Sequence, residues 1–144
     1  MPAAGETIIA GRVPGERIET SKRTANSSSF TTTETVLDTV VAPVVAGRTY
    51  RVYWAADIAS GVTDDTARVR LREDSGAGTV LQLTNIQLRG GRDIGFTLEG
   101  EYTADATEDK TFVATAVRQD GTGTLASNAN ANEPAFLYVD YIRG

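Results

Sequence analysis

Apolar and polar residues alternate one for one along Thr66–Glu73, which reads TARVRLRE: Ala67, Val69 and Leu71 fall on one side, Thr66, Arg68, Arg70 and Arg72 on the other. A period of two is that of an extended strand with one face in a core and one in water. Similar runs recur between turns rich in Gly, Asp and Pro. Residues 31–42 (TTTETVLDTVVA) are dense in Thr and Val, and Pro43, with no N–H to give to a ladder, ends that strand or marks an edge. Residues 49–59 (TYRVYWAADIA) are apolar on both faces, with Tyr50, Val52, Trp54 and Ala56 on one and Tyr53 and Ala55 on the other. Such a strand is either central in the fold or covered by a partner. Further runs lie at 79–88, at 94–102 with Ile94, Phe96, Leu98 and Tyr102 on one face, at 110–118, weakly at 124–131, and at 136–142 (FLYVDYI). Residues 119–123 (QDGTG) read as a tight turn of the Asp-Gly hairpin kind. No segment has a helical period. About eight short strands at this spacing predict an all-β fold, a two-sheet antiparallel sandwich that is jelly-roll-like.

Residues 1–29 differ from the rest. They hold Pro2, Gly5, Gly11, Pro14, Gly15 and the polar run 24–29 (TANSSS), and their one strand candidate is 7–10 (TIIA). The expected organisation is an extended arm over 1–29 and a β-sandwich domain over 30–144. The arm is either a solvated tail or a segment that docks on a neighbouring protein. In the second case the segment would add a strand to an open sheet edge, Ile8 or Ile9 and Ile18 would fill pockets, and Arg12, Arg17, Lys22 and Arg23 would meet acidic surface.

The chain of 144 residues is long enough for one domain with a real core. It has neither Cys nor His, which excludes disulfides, thiolate metal sites, Ser-His and Cys-His pairs and the usual His ligands of catalytic zinc. The net charge is −5, and the first 29 residues, with four basic against three acidic side chains, contribute none of it. That acidity disfavours nucleic acid as a partner. No apolar run approaches the roughly 20 residues that span a bilayer, so no membrane partner is expected. The opening MPAAGETIIAG lacks the basic and apolar regions of a signal peptide, and the protein is expected to fold where it is made.

Candidate chemistry is sparse. The Arg68/Arg70/Arg72 stripe could grip a carboxylate-rich partner or an anionic glycan, or be a solvated face balanced by Glu99 and Glu101 on another strand. Asp64 and Asp65, and Asp105, Glu108 and Asp109, form two acidic loops, but neither has the spacing of a calcium loop, and acidic turns have their own local reasons. Among 19 Asp and Glu nothing singles out a glycosidase pair, so no catalytic, metal or cofactor residue is assigned. Tyr50, Tyr53, Trp54, Phe136, Tyr138 and Tyr141 could stack on sugars, although such strong strands favour core packing. Residues 30–59 carry more apolar surface than one sheet face can hide. Val40, Tyr50, Tyr53 and Trp54 are therefore expected at an oligomer interface, most simply that of a homotrimer.

The order of several stretches resembles a module common in tailed bacteriophages, particularly those of actinobacteria. They are 13–18 (VPGERI), 30–36 (FTTTETV), 45–52 (VAGRTYRV), 68–74 (RVRLRED), 111–118 (TFVATAVR) and 134–144 (PAFLYVDYIRG). Proteins of this kind are virion structural components, minor tail or head-associated. The resemblance covers nearly the whole chain and lies in strand order and phrasing rather than in a catalytic signature, so it carries over no site residues. It implies a non-enzymatic protein of the virion surface, assembled in the host cytoplasm, with the major capsid protein or tail proteins as partners. A small module with an arm and no shaft ahead of it fits a capsid decoration protein. The alternative is a minor tail or tail-tip protein that binds host-surface carbohydrate.

Overall fold

Nine strands and no helix form within residues 13–144, the part of the chain that the computed structural model describes. Ile8, Ile9, Arg12 and the strand candidate at 7–10 lie outside the described residues. The strands are β1 (Arg17–Arg23), β2 (Thr35–Val44), β3 (Thr49–Ser60), β4 (Thr66–Glu73), β5 (Val80–Gln87), β6 (Asp93–Thr103), β7 (Glu108–Asp120), β8 (Leu125–Ala126) and β9 (Ala135–Arg143). The first sheet has the order β1-β9-β3-β6, with the two-residue β8 on β3, and the second has β2-β7-β4-β5. Every pairing is antiparallel. With β8 set aside, the chain crosses from one sheet to the other at each step except at the β4–β5 hairpin. Two four-stranded sheets linked in this way are the expected jelly roll.

The period-two runs become the inner faces. Ala67, Val69 and Leu71 of β4 are fully buried and pack with Phe112, Ala114 and Ala116 of β7 against Val52, Trp54 and Ile58 of β3 and Leu137 and Val139 of β9. Burying each of the larger side chains contributes about 1.5–3 kcal/mol. The strand that is apolar on both faces, β3, is central: β9 and β6 flank it.

Three elements differ from the sequence reading. Residues 17–23, read as part of an arm, form an edge strand laddered to β9 from Arg17↔Asp140 to Arg23↔Ala135. RIETSKR holds one large apolar residue, Ile18, so its strand character comes from pairing and not from pattern. The weak strand at 124–131 shrinks to Leu125 and Ala126. Its remainder is a loop tied by hydrogen bonds from Ser127 N–H to Ser27 Oγ (2.9 Å) and from Ala129 N–H to Asn26 Oδ1 (3.0 Å). The turn at Asp120-Gly121 joins strands of different sheets and is no hairpin. It is shaped by the carboxylate of Asp65, fully buried, which accepts hydrogen bonds from Ser60 Oγ (2.5 Å), Thr122 N–H (2.9 Å) and Gly123 N–H (3.1 Å). Gly121 has φ +102°, and a Cβ there would stand 1.9 Å from Asp65 Oδ1, so only glycine fits.

A second buried carboxylate joins the sheets. Asp38 of β2 accepts hydrogen bonds from Trp54 Nε1–H of β3 (2.8 Å) and from Arg23 Nε–H of β1 (2.8 Å). Arg23 also donates to the Ser127 carbonyl (3.1 Å) and hydroxyl (2.6 Å) and to the Ala25 carbonyl (2.7 Å). The charge pair is almost dry and its polar atoms have partners, the condition under which such a pair is tolerated inside a protein.

Two measurements follow from these carboxylates. Removing one partner of a buried pair strands the other, so Asp38→Ala should lower the free energy of unfolding in urea by about 3–5 kcal/mol. Arg17→Ala removes the surface pair with Asp140 (3.0 Å) and the contact of its guanidinium with the Tyr138 ring (3.5 Å), and should cost less, about 1–2 kcal/mol. Equal losses would show that Asp38 is no tie between the sheets. Burial raises the pKa of Asp65, but the hydrogen bonds from Ser60, Gly123 and Thr122 outweigh it and leave the carboxyl below its ordinary value. Stability from a depressed carboxylate pKa is present above the unfolded value near about 3.9 and is lost as pH falls through the folded value. Asp65→Asn should therefore be the less stable protein near neutrality, and the gap to wild type should shrink below about pH 4. A gap that stays constant into strong acid would contradict this account.

Candidate functional site

The outer face of the first sheet is built from the residues of β1, β9, β3 and β6 that point away from the core. Register places Arg17, Asp140, Arg51 and Glu101 in one row, alternating in charge across four strands. Arg17 pairs with Asp140 (3.0 Å), Arg51 with Glu99 (3.5 Å) and Arg143 with Glu101 (2.9 Å). The hydrogen bond from Arg143 holds Glu101 below its ordinary pKa, and the one that Arg17 donates to Asp140 raises the Arg17 pKa. The next row is aromatic. Tyr53 and Tyr138 stack with centroids 4.7 Å apart and planes 20° from parallel, and the Arg17 guanidinium lies 3.5 Å from the Tyr138 centroid. These rings spend their faces on each other and on Arg17.

Beyond the rings the same face sinks into a cleft of about 500 Å³. Ala55, Asp57, Gly95 and Thr97 form its floor, and Asn128, Glu133 and Pro134 of the loop before β9 form a wall. Gly95 makes room for the acid, since a Cβ there would stand 3.1 Å from Asp57 Oδ1. Asn128 Nδ2 donates to Asp93 Oδ1 (2.8 Å), which brings a third carboxylate to the rim. Burial, and then the negative charges of Asp93 and Glu133, raise the pKa of Asp57. The Phe136 ring stands opposite Ala55 in register, with the Lys22 ammonium 5.9 Å from its centroid on the β1 side. Carboxylates and an amide at this spacing can accept and donate hydrogen bonds to hydroxyl groups.

The second sheet presents a different outer face. Glu34 lies over Arg70 and Arg72, pairing with Arg70 Nη1 and, at 2.7 Å, with Arg72 Nε, and all three side chains are less than one-fifth exposed. Arg68 donates to Asn85 Oδ1 (2.9 Å). The arginine stripe is thus answered within the chain, though not by Glu99 and Glu101, which are on β6 in the other sheet. Val36 and Val41 on β2 and Val80 and Leu83 on β5 flank this ridge and are exposed. Among the described residues, none of the exposed large apolar side chains lies on a strand of the first sheet.

The residues singled out in sequence are dispersed. Ile18 packs against the core, Arg17 and Lys22 lie over Tyr138 and Phe136 on the outer face, and Arg23 turns inward to Asp38. Val40, Tyr50 and Trp54, expected at an oligomer interface, are buried inside the protomer at 3%, 1% and 0% exposure. The apolar excess of residues 30–59 belongs to two strands on opposite sheets, whose inner faces cover each other. Tyr53 alone of that group reaches the outer face. Of the six aromatics weighed for sugar stacking, Tyr53, Phe136 and Tyr138 are on the outer face, whereas Tyr50, Trp54 and Tyr141 are in the core. Sequence reasoning missed Glu34, Asp57, Asp93, Asn128 and Glu133. Glu34 and Arg70 are 36 residues apart, and no local pattern announces their pairing. Among the described residues no group of three or more Asp and Glu is placed to hold a metal ion, and no helix is long and apolar enough to cross a membrane.

No family model matches the chain, and no curated protein matches it. Solved structures with a similar arrangement include one of CBM4, at 12% identity and a TM-score of 0.43, covering 72% of this chain and 59% of that one. Another is the VP2 subviral particle of infectious bursal disease virus, at 13% identity and a TM-score of 0.49, covering 88% of this chain and 37% of that one. A third is the carbohydrate-binding module CBM6cm-2 from Cellvibrio mixtus lichenase 5A in complex with cellotriose, at 14% identity and a TM-score of 0.45, covering 86% and 97%. The chain thus spans 59% and 37% of the first two of these proteins, and the likeness is one of arrangement alone.

Proposed function

We propose that the protein is a non-enzymatic structural component of a virion surface, a capsid decoration protein that lies on other virion proteins through the outer face of its second sheet. The observation that supports this reading is the two-sidedness of the sandwich. One outer face is a network of ion pairs and stacked tyrosines, suited to water, while the exposed Val36, Val41, Val80 and Leu83 all lie on the other. Apolar positions around an ion-paired ridge are what a docking face offers a protein partner. The resemblance to tailed-phage structural modules points the same way, its stretches falling on or just ahead of β1, β2, β3, β4, β7 and β9. Self-association as a homotrimer would have to use these exposed positions, since Val40, Tyr50 and Trp54 are taken up inside the protomer. Gold labelling of intact particles should mark the head. The double change Val41→Glu and Leu83→Glu should leave far-UV circular dichroism unaltered and abolish incorporation. Normal copy number with that variant would overturn the docking face.

A second reading, a tail module that binds host-surface carbohydrate, is favoured by the cleft beside Phe136 with Asp57, Asn128 and Glu133. Jelly rolls serve in capsids and lectins alike, so the fold does not choose between the two. In this case purified protein should bind host envelope polysaccharide, and Asp57→Ala or Glu133→Ala should each weaken binding about tenfold, the equivalent of one good hydrogen bond to a charged group. Absence of binding, with label on the head, would dismiss it.

A further inference from the structure

Each sheet ends in two edge strands, β1 and β6 in the first and β2 and β5 in the second. An open edge invites a further strand, and folded proteins blunt it with charge, proline or a bulge. Three of these edges are blunted in that way. β1 (RIETSKR) carries Arg17, Glu19, Lys22 and Arg23. β2 contains Pro43, turns the charge of Asp38 inward and shifts register between Val36 and Asp38. β6 carries Asp93, Glu99 and Glu101. β5 differs. Residues 79–88 (TVLQLTNIQL) include no charged residue, no proline and no glycine. The one irregularity of β5, where Leu71 faces Gln82 and Arg72 faces Val80, is confined to its start.

The free side of β5 is set for pairing. Gln82, Thr84 and Ile86 stand opposite Leu71, Val69 and Ala67 of β4. The Leu83 N–H is not spent on β4 but is donated to Oε1 of its own neighbour Gln82 (3.0 Å), at an exposed position. That amide oxygen stands in for the carbonyl of a further strand. The side chains of Val80 and Leu83 are exposed, so a strand laid there also gains apolar contact. The two ends of β5 are opposite in charge. The largely exposed Asp74 lies in the turn before it, and Arg89 and Arg92 follow it. An antiparallel strand of the same sequence brings its arginine end to the acidic turn and its acidic turn to the arginines, and between the ends it sets uncharged residues against uncharged residues. β5 is thus complementary to itself.

We propose that β5 pairs antiparallel with β5 of a second copy about a two-fold axis at Leu83, joining the two four-stranded sheets edge to edge. Leu83 then exchanges both main-chain hydrogen bonds with Leu83 of the second copy, Leu81 faces Asn85, and Gln82 faces Thr84. This register sets the two exposed leucines against each other and keeps every pair from 80 to 86 within the strand. The pairing does not depend on the virion reading, and it is tested on purified protein in the absence of particles.

Sedimentation of the full chain at micromolar concentration should report a dimer. Leu83→Lys and Leu83→Glu each set like charges opposite one another at the axis, and each should weaken the dimer roughly tenfold or more. The two variants mixed in equal amounts should recover a mixed dimer, since an ammonium then faces a carboxylate. The chain has no native cysteine, so Leu83→Cys should oxidise to a single disulfide-linked dimer. Val41→Cys, exposed on the opposite edge strand of the same sheet, should stay a single-chain band under denaturing conditions. A wild-type monomer or trimer would overturn the pairing. So would a dimer that withstands both charges, a mixture that stays monomeric, or equal linking at positions 41 and 83.

Discussion

One carboxylate in the interior sets how the two sheets face each other. Apolar packing between sheets is strong but non-directional, and by itself it tolerates sliding. Asp38 adds direction: its two oxygens, on β2, take hydrogen bonds from Trp54 on β3 and Arg23 on β1. A shift of one sheet on the other would leave a charge in the core without its partners, a far larger penalty than the contacts such a shift would exchange. The same contact holds the edge strand. β1 has little apolar surface of its own, and Arg23 anchors its end through Asp38, Ser127 and Ala25.

Jelly-roll connectivity has a second consequence. Because consecutive strands lie on different sheets, most neighbours in a sheet are distant in sequence, and the loops must cross at the ends of the sandwich. Asp65 organises one crossing by gathering the N–H groups of Thr122 and Gly123, and the loop before β9 is fixed by Ser27 and Asn26. That loop, once fixed, becomes the wall of the cleft. Asp57, Asp93, Asn128 and Glu133 meet there from three separate parts of the chain, and partial burial, followed by the negative charges of Asp93 and Glu133, explains why the Asp57 carboxyl holds its proton more tightly than usual.

The two outer faces then part company chemically. On the first sheet, cross-strand register turns residues that look like scattered surface charges into ordered pairs, with tyrosines stacked beside them. On the second, Glu34 pairs with Arg70 and Arg72 of the arginine stripe, and the valines and leucine at its margins are the exposed apolar surface. A binding role drawn from the stripe alone would have assigned charge recognition to a face whose central charges are already paired.

Sequence by itself determined the class of fold and the inner face of each well-patterned strand, because alternation at period two is a local property that side chains carry wherever they are placed. β4 has the limits that TARVRLRE predicts, and Ala67, Val69 and Leu71 are in the core. Tertiary structure alone decided which strands pair, that RIETSKR is a strand, and that the Asp-Gly turn crosses between sheets. It also decided that Val40, Tyr50 and Trp54 are covered by the opposite sheet and need no second chain to cover them. These outcomes depend on contacts between residues tens of positions apart, such as Arg23 with Ser127 or Asp65 with Gly123, and no local pattern records them. The cleft belongs to the same category. Its acids are unremarkable one by one, and only the crossing of loops over the outer face of the first sheet makes them a site.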